Sequence, residues 1–436
     1  MHTIDKECIN TLRFLSADQV EKAQSGHPGF PLGTAPLIYT IWDRFMRYNP
    51  ANPTWFNRDR FILSPGHGSA LLYSMLHLAG YKLSLDDLKN FRQWGSLTPG
   101  HPEFGHTPGV DATTGPLGHG FAMGVGFAIA EVMLGAKYNK ENYKIVNHFT
   151  YGIVSDGDLM EGVASEAASL AGTLHLGKLI YLYDDNKISI EGSTDGAFTE
   201  DIEGRFKAYG WQVLRVEDSE DVDALAGAIK IAQNDKEHPT LIIVRTHIGF
   251  GSPKQDNASC HGEPLGKENL AITKANAGWD PNKMFFVPEQ VHNYFADKLL
   301  LCQEQEDDWN NLFQEYYTNY PQDAMALHNQ IDNEFSLNID ELLACFKDTE
   351  KTATREASGV IINKLAELLP ALIGGSADLG PSNKTVIKNT TYFSDKDRLG
   401  RNLHFGVREH AMGAILNGIS LSHLRRRRWR RWSKRQ

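Results

Sequence analysis

"HFTYGIVSDGDLMEGVASEAASLAGTL", His148–Leu174, is the stretch whose reading decides the fold. Its first part is an apolar run that stops at Ser155. From Glu161 onward, small and apolar residues recur at helical spacing. Between the two lie Asp156, Gly157 and Asp158, so two carboxylates and a bare backbone sit where a buried strand ends. Four other runs read as buried strands: "RFILS" from Arg60, "LIYLY" from Leu179, "WQVLRV" from Trp211 and "TLIIVRT" from Thr240. Helical stretches such as "SALLYSMLHLAG" separate them. This alternation predicts an α/β fold with a parallel sheet covered on both faces. Ligands of such sheets sit at the carboxyl ends of the strands, which places His67, Asp156, Asn186 and His247 along one rim.

The 436 residues exceed one ordinary core, and 41% hydrophobic with 22% charged residues describes a soluble globular protein of two domains. Cys8, Cys260, Cys302 and Cys345 are scattered without redox or metal spacing, which predicts reduced thiols in a cytoplasmic protein. The polar opening "MHTIDKECIN" is no signal peptide, and no apolar run reads as long enough to cross a bilayer. The net charge of −10 includes eight positive groups in the tail "RRRRWRRWSKRQ", so the body carries −18 and repels nucleic acid. The tail by itself has the composition of a nucleic-acid or lipid ligand.

Residues 281–350 are rich in Gln, Asn, Asp and Glu, with helical spacing around "VHNYFADKLLL" and "WNNLFQEYY", and read as a helical connector. A second α/β pattern follows: helix "GVIINKLAELLP", strand "ALIGGSAD", then "LHFGV" turning into "REHAMGAILNGIS".

At "SDGDLMEG" a helix is predicted to begin around Leu159, and its free N–H groups suit a phosphate. The Asp156 carboxylate, the Asn186 amide oxygen and the Ile188 carbonyl are the oxygen donors that Mg²⁺ prefers, with phosphate and water completing the shell. Either half alone is an ordinary acidic turn, since Asp and Asn cap helices everywhere. Histidine beside glycine recurs at His27, His67, His101, His119 and His261, in Gly/Pro-rich turns. Without HExxH or Cys/His spacing, a zinc site or metal-dependent hydrolase has no support. Hydroxyl recognition and proton transfer near neutral pH fit these histidines better.

Together "SGHPGFPLGTAPLIYTIW", "DRFILSPGHGSALLYSMLHLAGY", "TPGHPE", "TTGPLGHG" and the Asp156-Gly157 to Asn186 pair closely resemble transketolase, and the resemblance runs to about Leu421. It implies a parallel-sheet thiamine-diphosphate-binding fold, with thiamine diphosphate and Mg²⁺ (or Ca²⁺ or Mn²⁺) as cofactors. The implied reaction moves a two-carbon unit from a ketose phosphate donor to an aldose phosphate acceptor, in a cytoplasmic homodimer with neither nucleic-acid nor membrane partners. Asp156, Asn186 and the Ile188 carbonyl resemble metal ligands. His67, Gly115, Pro116, Leu117, Gly157, Asn186 and His261 match cofactor contacts. His27, His101 and His261 resemble the histidines around the reacting hydroxyls, while Arg355 and Ser382 match a phosphate grip. Glu409 in "GVREHA" resembles the glutamate that bonds the aminopyrimidine ring of a partner subunit's cofactor. Ser155 stands where the family often has glycine, and the turn is expected to survive.

The implied domains are a diphosphate-binding domain over 1–280, the connector over 281–350 and an incomplete pyrimidine-binding domain over 351–424. Residues 425–436 then form a basic tail attributable to a frameshift. An unfinished second domain implies impaired turnover and exposed apolar surface. The competing readings are dihydroxyacetone synthase, the synthase that makes deoxyxylulose phosphate, and a non-catalytic remnant that binds nucleic acid or membrane through its tail. "SGHPGFPLG" and the Arg355/Ser382 pair favour transketolase over the deoxyxylulose phosphate synthase.

Overall fold

The structure, a computed structural model, describes residues 2–332, 338–346 and 351–424. The arginine-rich tail lies outside the described residues. The strands are β1 (Arg60–Leu63), β2 (Thr150–Ser155), β3 (Leu179–Asp185), the short pair β4 (Ile188–Ser189) and β5 (Gly192–Ser193), β6 (Gln212–Val216), β7 (Thr240–Arg245), β8 (Gly374–Ser376) and β9 (Asn402–His404). β1, β2, β3, β7 and β6 lie side by side in that order, and every pair is parallel.

The central strands are apolar on both sides because both faces are covered. Ile153, Ile180, Leu182, Ile242 and Val244 face one core with the helices Thr3–Ala23 and Gly29–Arg44. Their neighbours Val154, Tyr181, Tyr183, Leu241 and Ile243 face the other, with the helices His119–Tyr138 and Gly162–Thr173. This period of two is the strand's own geometry, and each fully buried aliphatic side chain contributes about 1.5–3 kcal/mol. Register aligns the strand ends. Ser155 pairs with Asp184, Asp184 with Val244, and Asp185 with Arg245, so β2, β3 and β7 finish level.

The helix His119–Tyr138 is long and apolar enough to cross a membrane, contrary to the sequence expectation, but 78% of its apolar window is buried inside the protein. It is the core helix of the second face. The helix Glu409–Ile419 crosses it at glycines: a Cβ on Gly126 would lie 2.1 Å from the Ile415 oxygen, and one on Gly418 would lie 2.0 Å from the Met123 oxygen. Only glycine permits that approach.

The two helical stretches expected after residue 281 form one continuous helix, Glu289–Asn319, followed by Pro321–Asp332. The long helix is strapped to the first region. Trp309 Nε1 donates to Ile145 O at 2.9 Å, the Tyr316 hydroxyl donates to Tyr138 O at 2.8 Å, and Glu306 accepts from the Asn52 side chain at 2.6 Å. Farther on, β8 pairs in parallel with β9. Arg401 donates to Leu372 O, Ala366 O and Leu369 O, satisfying carbonyls where the helix Thr354–Leu368 ends. The four cysteines are free.

Candidate cofactor and active site

The helix expected from Leu159 begins earlier, at Asp156, runs to Met160, breaks at Glu161 and resumes as Gly162–Thr173. A capping box explains the early start: Ser155 N donates to Asp158 Oδ2 at 2.9 Å, and Ser155 Oγ accepts from Asp158 N. Ser155 has φ −119°, extended backbone open to any residue, so serine makes the turn without strain.

Asp156 is 3% exposed. It accepts from the Tyr183 hydroxyl and, at 3.1 Å, from the backbone N–H of Lys187, whose φ of 61° folds the 186–188 turn back onto β2. Asn186 donates its amide nitrogen to Asp184 at 2.7 Å, which fixes its oxygen on the other side, where it accepts from Ile188 N at 2.9 Å. Asp184 also accepts from the Thr246 hydroxyl. The ends of β2, β3 and β7 are thereby tied together at the predicted rim. Burial pushes Asp156 up to about 6 and Asp184 up to about 7, and Asp185 adds to both.

Asp156 is held by hydrogen bonds from the Tyr183 hydroxyl and the Lys187 N–H, and the carboxylate beside the Asn186 amide oxygen offers the oxygen ligands a hard divalent cation requires. Among the described residues no three His, Cys, Asp or Glu side chains converge on a metal position. The residues fit the group.

A loop joins this rim to the histidines. A Cβ on Gly157 would meet Leu117 at 2.9 Å, and one on Gly66 would meet Gly115 N at 2.9 Å, so the 115–117 segment is wedged between the β1 and β2 turns. Where Gly115 would carry a Cβ, the His101 ring lies 3.5 Å away. His27, His67 and His261 form a triangle with ring centroids 4.9, 5.3 and 5.7 Å apart. Burial holds all four imidazoles below the usual histidine range, His27 at about 4, with neighbouring histidines and Arg92 adding at His27 and His67. They are neutral at pH 7 and can both donate and accept. Among the described residues, His261 Nδ1 and Thr114 Oγ1 are buried without a hydrogen-bond partner, which marks polar capacity available to a ligand.

The structure brings together Asp156, Gly157, Asn186, Ile188, the 115–117 loop, His27, His67, His101 and His261. It does not bring Glu409, Arg355 or Ser382 to them. Glu409 is exposed at the start of its helix, and Arg355 and Ser382 are exposed on separate elements. His247, also placed on the rim, pairs with Asp256 at 2.8 Å.

Sequence reasoning missed Tyr183, Asp184 and Arg92, which support the site from behind. It also missed the role of Asp158, which is fully buried and accepts from Ser64 Oγ, Gly118 N, Ser155 N and Ser155 Oγ. The capping spacing Ser155-x-x-Asp158 was the available signal for Asp158.

Residues 4–336 match the family described as "Transketolase, thiamine diphosphate binding domain", and residues 350–429 match "Transketolase, pyrimidine binding domain". The chain is 53% identical over 423 residues to the transketolase of Bacillus subtilis, covering 97% of this chain and 63% of that protein. Against the Geobacillus stearothermophilus transketolase, identity is 52% over 96% of this chain and 63% of the relative. A crystal structure of Pichia stipitis transketolase in complex with sedoheptulose-7-phosphate superposes with a TM-score of 0.93 at 44% identity, covering 97% of this chain and 64% of that one. Leishmania mexicana transketolase gives 0.91 at 45%, covering 97% and 63%. The chain thus spans less than two thirds of the length of these relatives.

Proposed function

Because the chain belongs to the transketolase family and carries its thiamine diphosphate binding domain, we propose that it serves transfer of a two-carbon ketol unit from a ketose phosphate to an aldose phosphate. The observation that carries this reading is the buried, hydrogen-bonded Asp156 carboxylate beside the fixed Asn186 oxygen, a rim of oxygen donors next to a cluster of neutral imidazoles.

In this proposal Asp156, Asn186 and the Ile188 carbonyl hold Mg²⁺, Ca²⁺ or Mn²⁺, which joins the diphosphate to the rim. Gly157 and the 115–117 loop contact the cofactor through a bare backbone, with His67 and His261 beside it. Thiamine diphosphate, when bound, supplies the electron sink that lets a ketose C2–C3 bond break. His27, His101 and His261 hold and move protons on the substrate hydroxyls, a task that neutral imidazoles can perform in both directions. Arg355 and Ser382 grip the sugar phosphate, the guanidinium through paired N–H donors. Glu409 of the partner subunit bonds the aminopyrimidine ring. The homodimer, the cytoplasmic setting and the division of the chain at residues 280 and 350 belong to this proposal.

Calorimetry with thiamine diphosphate and Mg²⁺, followed by a coupled assay with a ketose phosphate and an aldose phosphate, tests it. Mg²⁺-dependent cofactor binding that is lost in Asp156→Ala supports the site. Cofactor binding with no ketol transfer, even to a range of acceptors, refutes the activity while leaving the site standing.

A further inference from the structure

Arg92 stands behind His27, on the turn that separates the helix Leu85–Lys89 from His101. Its φ of 61° is a left-handed backbone on a residue other than glycine. The turn holds it there: Arg92 N donates to Thr98 O at 2.9 Å, and Thr98 Oγ1 donates to Asp87 O at 2.8 Å. Such a conformation persists only where its surroundings fix it. The guanidinium donates to Ser25 Oγ at 2.9 Å and meets His27 Nδ1 at 3.4 Å. Its Nε is buried, and a Cβ on Gly100, the residue before His101, would lie 3.3 Å from it.

We propose that Arg92 is a positioning residue: it fixes His27 as the tautomer with its proton on Nε2, so that His27 meets the substrate only as a hydrogen-bond donor. The inference rests on the proposed place of His27 beside the substrate hydroxyls, and it narrows what His27 does there. Guanidinium nitrogens carry donors only and keep their charge. A contact with them leaves Nδ1 one part to play, that of acceptor. A neutral imidazole has a single N–H, which therefore sits on Nε2. That Nε2 atom lies 3.4 Å from where a Cβ on Gly262 would be, beside His261. A second proton would have to enter at Nδ1, facing Arg92, and burial, with His261 and Arg92, already disfavours it.

The proton work then divides among the histidines. A substrate oxygen that accepts from His27 Nε2–H gains a hydrogen bond, and no bond to hydrogen breaks at His27. Among the described residues, His261 Nδ1 is buried without a hydrogen-bond partner. Taking up a hydroxyl proton falls to His261 or His101.

NMR of the intact chain labelled with ¹⁵N at histidine tests this at pH 7, where ring nitrogens with and without a proton have separate shifts. The signals of His27 are identified among the 17 histidines by their loss in His27→Asn. In wild type, Nε2 should be protonated and Nδ1 not. Arg92→Met removes the donor and should shift the tautomer ratio about tenfold toward Nδ1–H, the scale of one hydrogen bond from a charged group. Arg92→Lys restores a donor-only cation and should move the ratio back. A wild-type His27 protonated on Nδ1 overturns the proposal without any variant. A ratio unchanged in Arg92→Met overturns it too, and a lower thermal midpoint in that variant would then make Arg92 merely structural. The readout needs no turnover. The expected tautomer in a chain without ketol transfer sinks the proposed activity alone, and the wrong tautomer in an active chain sinks this assignment alone.

Discussion

Asp158 accepts the backbone N–H of Gly118 at 2.7 Å, and the same carboxylate oxygen accepts from Ser64 Oγ at 2.6 Å. One buried side chain thus holds the end of β1, the 115–118 loop and the turn after β2 in a single arrangement. The charge is stabilised by donors alone, so its removal leaves those donors facing each other.

Asp158→Asn is expected to destabilise the fold by about 2–4 kcal/mol, because the new amide N–H₂ is a donor among donors in a dry site. Loosening the loop should also weaken thiamine diphosphate binding at least tenfold. Urea unfolding and calorimetry on the same preparation measure both effects. Unchanged stability would show that Asp158 does not brace the loop.

Burial, reinforced by His261, Arg92 and His101, lowers His27 to about 4. The folded chain therefore binds fewer protons at this site than the unfolded chain between about pH 4 and the ordinary histidine value of 6.5. By linkage its stabilising contribution is fully present above 6.5 and declines as pH falls toward 4. The ring resonance of His27 should titrate near pH 4, and His27→Asn should lose less stability than wild type between pH 7 and pH 5. A titration midpoint near 6.5 would contradict the buried, neutral imidazole.

How much of this was legible in the sequence follows from what each feature depends on. The five strands were legible because both faces are buried, and an uninterrupted apolar run such as Leu179–Tyr183 has few other uses. Asp156 and Asn186 were legible because strand ends collect ligands in parallel sheets. The support behind them was not: Tyr183 and Asp184 belong to an ordinary core strand until register places them beside Asp156 and Thr246. The helix His119–Tyr138 was passed over, although it is as long and apolar as a membrane span. Its hydropathy reflects burial on two sides, by the sheet and by the helix Glu409–Ile419. The His119–His410 contact joins residues 291 positions apart and has no local signal.

If Asp156 is the cation's carboxylate, removing its charge should uncouple fold stability from the cofactor. In wild type, Mg²⁺ with thiamine diphosphate at a hundred times its dissociation constant should add about 2.7 kcal/mol to the unfolding free energy. Asp156→Asn keeps an oxygen for the Tyr183 hydroxyl, turns an amide N–H₂ toward the Lys187 N–H, and removes a buried charge whose acidity burial already weakens. These effects oppose each other, so the ligand-free variant should stay within about 1–3 kcal/mol of wild type, and should gain nothing from ligand. Denaturant midpoints with and without both ligands decide this, and an equal ligand-dependent gain in the variant would place the cation elsewhere.

The crossing at Gly126 and Gly418 makes the most local prediction. A methyl group at either position would lie 2.0–2.1 Å from a carbonyl oxygen of the facing helix, far inside contact distance. Neither obstacle is a flexible side chain, so the helices themselves must separate. Gly126→Ala and Gly418→Ala should each cost about 1–3 kcal/mol or more, as overpacking in a dense core does. Once one alanine has pushed the helices apart, the second meets a wider gap. The double variant should then lose clearly less than the sum of the singles, with a coupling of about 0.5–3 kcal/mol. Denaturant unfolding of the four proteins closes the cycle, and strict additivity would mean that the two glycines do not share one crossing.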